Sequence, residues 1–199
     1  MSDQNYVGRI TSDEKSTLSM YIGLIMLTAL VAGGVYFYFL TQETKELVGF
    51  DPNLPVQSDA VLKRRLKPEQ YHVVRENGTQ MPFQNEFWNN VSPGIYVDVI
   101  TNEPLFTSVD KYDAGLGMPT FSKPISKDLL LETLDTSQGM QRTEVRAKRS
   151  NAHLGHVFED PQSPSGRRYV LNSAAFYHIP VERMRLEHYE AYLPLLEKK

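Results

Sequence analysis

The sequence predicts a mainly β domain behind a single N-terminal transmembrane helix. Residues 17–40 form an apolar run without a charge, long enough for a helix to cross a bilayer. Two later runs, Tyr96–Ile100 and Arg168–Leu171, are short and rich in β-forming residues. Turn-forming pairs separate the apolar runs at Asn77-Gly78, Pro93-Gly94 and Ser165-Gly166. Short strands joined by tight turns indicate an antiparallel β domain.

The apolar run TLSMYIGLIMLTALVAGGVYFYFL at 17–40 exceeds the roughly 20 residues that a membrane-spanning helix needs. It ends in the aromatic residues 36–39 and not in a small-residue cleavage site, which favours a retained anchor over a signal peptide. Ala29, Ala32, Gly33 and Gly34 form a small-residue patch. This patch either lets a second transmembrane helix approach closely or faces lipid.

Basic residues near the predicted span do not favour either orientation, since Arg9 and Lys15 precede it and Lys45 follows it. The later basic run KRRLK at 63–67 places the soluble domain on the cytoplasmic face. The same run either contacts anionic headgroups or forms a solvated basic turn.

The chain divides into a tail at 1–16, the anchor at 17–40, a linker at 41–65 and a folded domain at 66–199. The linker is predicted from the turn-forming run DPNLP at 51–55 and from its lack of periodicity. Helical patterns outside the anchor predict helices at Ser126–Leu134 and Val181–Leu193, the second directly after Pro180.

Composition excludes several classes of function. The formal net charge of -3 gives no basis for binding nucleic acid. The 199 residues include no cysteine, which removes disulfides, thiolate metal sites and cysteine nucleophiles together.

From about Leu66 to Leu196 the sequence resembles the B-type methionine sulfoxide reductases, block by block. The matching blocks are LKPEQYHVVRENGTQMPFQNEFWNN, PGIYVDVITNEPLFTSVDKYDAGLGMPTF, DTSQGMQRTEVRAKRSNAHLGHVFED, SGRRYVLNSAAFYHIP and AYLPLL. The resemblance implies two antiparallel β-sheets and a shallow basin that binds methionine sulfoxide. It also implies a cysteine thiolate that attacks the sulfoxide sulfur and is recycled by a second thiol.

At the family's catalytic position the sequence RRYVLNS places Val170, which has no ionisable proton. The family's substrate-caging tryptophan is replaced by Met118, and no resolving cysteine precedes it. Other family positions are retained as remnants of the basin: His153, His156, Asn172 and Phe158. These remnants either still bind a polar group or serve only as hydrogen-bonding elements of the fold, and the second interpretation is favoured.

Four positions match the zinc-binding thiolates found in part of the family: Asp98, Thr101, Ala147 and Ser150. None is cysteine, so this chain resembles the zinc-free branch, and we expect no metal or cofactor. A metal cluster of His153, His156 and Glu159 is a weaker alternative, because strand alternation need not bring the three together. Met118 is interpreted as a packing residue and not as a ligand.

The predicted function is that of a noncatalytic accessory or scaffold subunit, a pseudoenzyme within a larger membrane complex. Its expected partners are integral membrane proteins, through the helix and the β domain, and the lipid bilayer. The suggested host is a bacterial photosynthetic reaction centre with antenna, or a respiratory assembly. The alternative is a membrane-tethered reader or reductase of oxidised methionine. A weaker third possibility is another reaction that uses His153 or His156 as a general base.

Overall fold

A computed structural model describes residues 49–197 together with the isolated positions Met20, Met26, Thr28, Val31 and Gly33, which are helical. The predicted transmembrane helix therefore falls almost entirely outside the described residues. Among the positions that are described, none belongs to a helix of sufficient length and apolarity to span a bilayer. The chain separates into two compact units, Met1–Glu46 and Leu47–Lys199.

The second unit begins with two short helices, α1 (Asp59–Arg65) and α2 (Pro68–Glu76). Pro68 occupies the first turn of α2, where its missing N–H costs nothing, and Asn77 ends the helix in the left-handed conformation. Leu62 and Val74 are fully buried in the main core. The prediction of a linker up to residue 65 is therefore wrong over α1, because the apolar side of that helix packs into the domain.

Nine strands follow: β1 (Gly94–Asp98), β2 (Pro104–Thr107), β3 (Lys111–Tyr112), β4 (Thr120–Phe121), β5 (Leu130–Asp135), β6 (Arg142–Ala147), β7 (His153–Glu159), β8 (Arg167–Leu171) and β9 (Phe176–Pro180). They form a three-stranded sheet in the order β2-β1-β9 and a six-stranded sheet in the order β3-β4-β8-β7-β6-β5. All the strand pairs are antiparallel. The mainly β fold of two antiparallel sheets is confirmed.

Apolar side chains on both sides of β1 explain why this strand is buried throughout. Tyr96 points into the main core, which α1 and α2 share with both sheets. Ile95 and Val97 point the other way, into a second cluster with Met184 and Tyr189. Side chains alternate between the two faces of a strand, so a strand with a core on each side is apolar at successive positions.

The two helices predicted outside the anchor are corrected by the structure. Residues 126–134 form a single 3-10 turn, Lys127–Leu129, and then enter β5. The isolated sequence favoured a helix here, but pairing with β6 along the whole of β5 outweighs that local preference. Only Val181–Met184 of the second prediction is α-helix, labelled α3, and the chain continues into the 3-10 helix Glu190–Leu196.

Gly155 permits the close approach of β7 and β8. Its φ is 150°, and a Cβ added there would lie 2.2 Å from the Val170 carbonyl oxygen. We expect Gly155→Ala to lower the free energy of unfolding by about 3 kcal/mol, because backbone must move to relieve the overlap.

Gly139→Ala is the matched control, since Gly139 also has positive φ but no atom within 4 Å of an added Cβ. Gly139→Ala should lower the free energy of unfolding by only about 1 kcal/mol, which is the strain of a side chain at positive φ. Urea unfolding of the two variants measures the difference. Equal losses would show that the contact with β8 is not what requires glycine at position 155.

Candidate functional site

Val170 lies near the centre of the six-stranded sheet, one residue before the end of β8. It is paired in register with Thr120 of β4 and His156 of β7. Its neighbours Tyr169 and Leu171 point into the core and are essentially buried, whereas Val170 is half-buried. Because side chains alternate along a strand, the isopropyl group of Val170 lies on the outer face of the sheet. We refer to this outer face around Val170 as the basin.

Phe158 and Arg168 form the next pair on the basin face, two residues along β7 and β8 from the pair of His156 and Val170. The guanidinium carbon of Arg168 lies 5.8 Å from the centre of the Phe158 ring. Phe158 keeps 36% of its surface exposed. The basin therefore presents an accessible aromatic ring and a cation beside the valine.

A bulge in β7 brings His153 and His156 to the same face. The register between β6 and β7 moves from Val145–Gly155 to Arg146–His153, so Leu154 is the additional residue on β7. The two imidazole rings lie 5.6 Å apart, nearly perpendicular. Strand alternation alone would have separated residues three positions apart.

Each histidine of the basin is paired with a carboxylate. His153 Nδ1 lies 2.7 Å from Glu144 Oε1, and His156 Nε2 lies 2.8 Å from Asp135 Oδ2. A carboxylate only accepts hydrogen bonds, so each of these ring nitrogens carries the proton. The lone pair of neutral His153 is then on Nε2, which is buried and has no partner among the described residues.

The carboxylate of each histidine–carboxylate pair also accepts a hydrogen bond from an arginine. Arg146 donates to Glu144 at 2.6 Å, and Arg142 donates to Asp135 at 2.7 Å. Hydrogen bonds from Ser137, His156 and Arg142 hold the pKa of Asp135 well below its usual value. Burial alone would raise the pKa of Glu144, but His153 and Arg146 together lower it. Burial lowers the pKa of His153 despite Glu144, which favours the neutral ring.

Met118 is half-buried and lies two residues before Thr120, the β4 partner of Val170. The side-chain amide of Asn85 donates to the carbonyl of Gly117 at 2.8 Å and approaches the Met118 sulfur at 3.4 Å. Ser173 is buried, donates to Asn85 at 2.6 Å and accepts from the Phe87 amide at 2.9 Å. These hydrogen bonds give Ser173 a structural role and leave it without a base, so it is not an activated nucleophile.

Asn172 is nearly inaccessible, with 2% of its surface exposed. Its Oδ1 accepts from the Gln80 amide at 3.0 Å, and its Nδ2 donates to the Leu154 carbonyl at 3.2 Å. Both polar ends are thus used inside the fold. Among the four positions predicted as remnants of the basin, Asn172 fits the structural interpretation, while His156 and Phe158 lie on the basin face.

The four positions predicted to match the family's zinc-binding thiolates lie in two similar turns. In one, the Asn102 amide donates to the Asp98 carbonyl at 2.8 Å; in the other, the Asn151 amide donates to the Ala147 carbonyl at 2.9 Å. Both asparagines are left-handed, with φ of 61° and 56°. The turns meet through the fully buried Asp98 side chain, which accepts from the Ile100 amide at 3.0 Å and from Thr101 at 2.7 Å, and also bonds to Ser150. We call Asp98, Thr101 and Ser150 the clasp.

Arginines fix the clasp from outside. Arg65 of α1 donates to the carbonyls of Val99 and Ile100, each at 3.0 Å. Arg75 of α2 donates to the Ser150 carbonyl at 2.9 Å. Burial raises the pKa of Asp98, against the hydrogen bonds from Ser150, Ile100 and Thr101 and the charge of Arg75.

The clasp does not fit a tetrahedral zinc ion. Ala147 offers no side-chain donor, and the carboxylate of Asp98 is already occupied by hydrogen bonds. The weaker alternative of a cluster with Glu159 fails geometrically, because Glu159 is exposed and lies 3.8 Å from Arg167 at the far end of β7. Within 49–197 and the isolated positions, no three histidine or acidic side chains converge in a way that would hold a metal.

Two antiparallel sheets, a basin centred on one strand and a pair of hydrogen-bonded turns describe the class of this protein. The model of the SelR domain matches residues 66–180, more than half of the chain. The chain therefore belongs to the SelR-domain family, that of the B-type methionine sulfoxide reductases. Members of this family are normally reductases, whereas this sequence contains no cysteine.

Sequence reasoning missed four polar residues of the basin: Asp135, Arg142, Glu144 and Arg146. Those on β6 alternate with residues that face the core, which is the pattern of a half-buried strand. That signal was available in RTEVRA. The helix predicted at Ser126–Leu134 conflicts with this pattern, because it leaves β6 without β5 as a partner strand.

Proposed function

We propose that this chain is a noncatalytic, membrane-anchored accessory subunit of a larger membrane protein complex. The observation that carries the proposal is the hydrocarbon side chain of Val170 at the centre of the basin, between Thr120 and His156. Reduction of a sulfoxide needs a nucleophilic thiol, and the sequence supplies none at any position. The clasp further supports assignment to the zinc-free branch of the family.

The membrane assignment is supported by the uncharged run at 17–40. We propose that this run anchors the chain and contacts integral membrane proteins, with the β domain as a second contact. A bacterial photosynthetic reaction centre with antenna, or a respiratory assembly, is the proposed host. The cytoplasmic face is the proposed side of the domain.

Purification from native membranes tests this proposal. After gentle solubilisation, the tagged full-length chain should co-purify with integral membrane proteins in fixed ratio, and it should remain in the pellet after alkaline extraction. A tagged fragment of residues 47–199 is the control and should bring down much less. Recovery of the full-length chain as a lone monomer would contradict the subunit proposal.

The second candidate is a reader of methionine sulfoxide without turnover. It is favoured by one observation: His156 and the partly exposed Phe158 remain on the basin face beside Val170. A methionine sulfoxide peptide should then bind stereoselectively and bind more weakly to the His156→Ala variant. Absence of binding at about millimolar peptide, a free energy near 4 kcal/mol, would eliminate the reader.

A further inference from the structure

The side chains of the basic run KRRLK at 63–67 fall into two sets, one directed into the fold and one exposed to solvent. Leu62 and Leu66 next to Arg65 are buried, and Arg65 itself turns inward to the carbonyls of Val99 and Ile100. Lys63, Arg64 and Lys67 are exposed. We call these three exposed residues the basic corner.

Nearby acids neutralise the basic corner only in part. Asp59, in the first turn of α1, is paired with Arg75 at 2.9 Å. Glu69 accepts from the neutral side-chain amide of Gln80 at 2.9 Å, so this exposed carboxylate keeps its charge and offsets one of the three cations. Among the residues that the structure describes, Lys63 has only a ring contact, at 5.7 Å from the centre of Tyr71. Three cations at the junction of two short helices therefore leave a local positive surface.

The position of the basic corner along the chain indicates what it faces. The predicted anchor ends at Leu40, and the described fold begins at Gly49, so eight residues connect them. Fully extended, such a connection reaches at most about 28 Å. A cytoplasmic leaflet is negatively charged, and its attraction acts within about a Debye length of the surface.

We propose that the basic corner binds the anionic headgroups of the membrane that holds the anchor. The proposal rests on the proposed function for the anchor, and it adds a specific contact surface and its lipid chemistry. The tether keeps the local concentration of the surface high, so a weak contact suffices to orient the domain.

The test uses a fragment of residues 47–199 and therefore does not depend on the anchor. This fragment is a compact unit with its own core, so it should fold alone. We expect it to bind vesicles rich in an anionic phospholipid, to ignore purely zwitterionic vesicles and to dissociate as salt is raised.

The triple variant Lys63→Glu, Arg64→Glu, Lys67→Glu should reduce the affinity for anionic vesicles by at least about a hundredfold, since loss of each basic residue near such a surface removes roughly a factor of five and the added carboxylates are repelled. Lys123→Glu, Lys127→Glu, Lys148→Glu is the matched control, with the same change in charge at three other exposed lysines. It should retain most of the binding.

Equal losses in the two triple variants would overturn the proposal, because they would show attraction by net charge alone. Absence of binding to anionic vesicles, or binding that ignores headgroup charge, would also overturn it; an acidic protein surface would then be the better partner for the basic corner. Failure of the anchor is a separate result, seen as release of the full-length chain by alkaline extraction.

Discussion

The Val170→Cys variant is expected to reduce about one equivalent of methionine sulfoxide per chain in a single turnover, whereas the natural chain reduces none. The introduced thiolate would attack the sulfoxide sulfur; the oxygen, with one proton, ends on the thiol sulfur as a sulfenic acid, and methionine leaves. His156 pairs with position 170 in register, so an imidazole lies beside the reacting atoms. Loss of peptide sulfoxide and trapping of the sulfenic acid by a 1,3-diketone measure the step.

Val91→Cys is the matched control, since Val91 is 92% exposed and lies outside the basin strands. Its thiol should react with an alkylating reagent but not with the sulfoxide above background. Similar sulfoxide loss in both variants would show that the basin contributes nothing to the reaction. No loss with Val170→Cys would show that Met118 and its surroundings no longer accept the substrate.

The Asp98→Ala variant is expected to lose about 3 kcal/mol of unfolding free energy. Asp98 is completely buried, and its removal would leave the Thr101 hydroxyl and the Ile100 amide without their acceptor. Asp98→Asn keeps one acceptor oxygen and should lose less. Urea unfolding of the fragment 47–199 measures both variants.

Asp128→Ala is the control, an exposed aspartate outside the clasp that should change stability by less than about 0.5 kcal/mol. A chelator should leave the unfolding midpoint of the natural chain unchanged, because hydrogen bonds, and not a metal, join the two turns. A loss below about 1 kcal/mol for Asp98→Ala would mean that the clasp does not hold these turns together.

Local sequence predicts the secondary structure correctly where the preference of a segment agrees with its tertiary contacts. The β-forming run Arg168–Leu171 lies within the observed β8, Arg167–Leu171. The prediction failed at residues 126–134, since Leu130–Asp135 becomes a strand only by pairing with β6. The helix Pro68–Glu76 was missed although Pro68 and Asn77 mark its two ends.

In the candidate site, too, the sequence supplies positions and the tertiary structure decides their arrangement. The resemblance supplied Val170, Met118, His153 and His156 as positions, and the structure places the two histidines together through the bulge at Leu154. A bulge depends on how two strands align, which periodicity within one strand does not reveal. The four positions compared with zinc-binding thiolates stay a prediction from the sequence, and the roles of Arg65 and Arg75 beside them are visible only in the structure.

The sequence by itself determined the absence of any thiol, the family resemblance and the charge-free run at 17–40, because these are properties of composition and linear order. Only the tertiary structure decided the carboxylate partners of the histidines, the inward turn of Arg65 and the clasp around Asp98. Each of these joins residues far apart in the chain, such as Arg75 and Ser150. Such contacts form when the sheets and helices bury a common core, and that burial selects among the pairings that local preference leaves open.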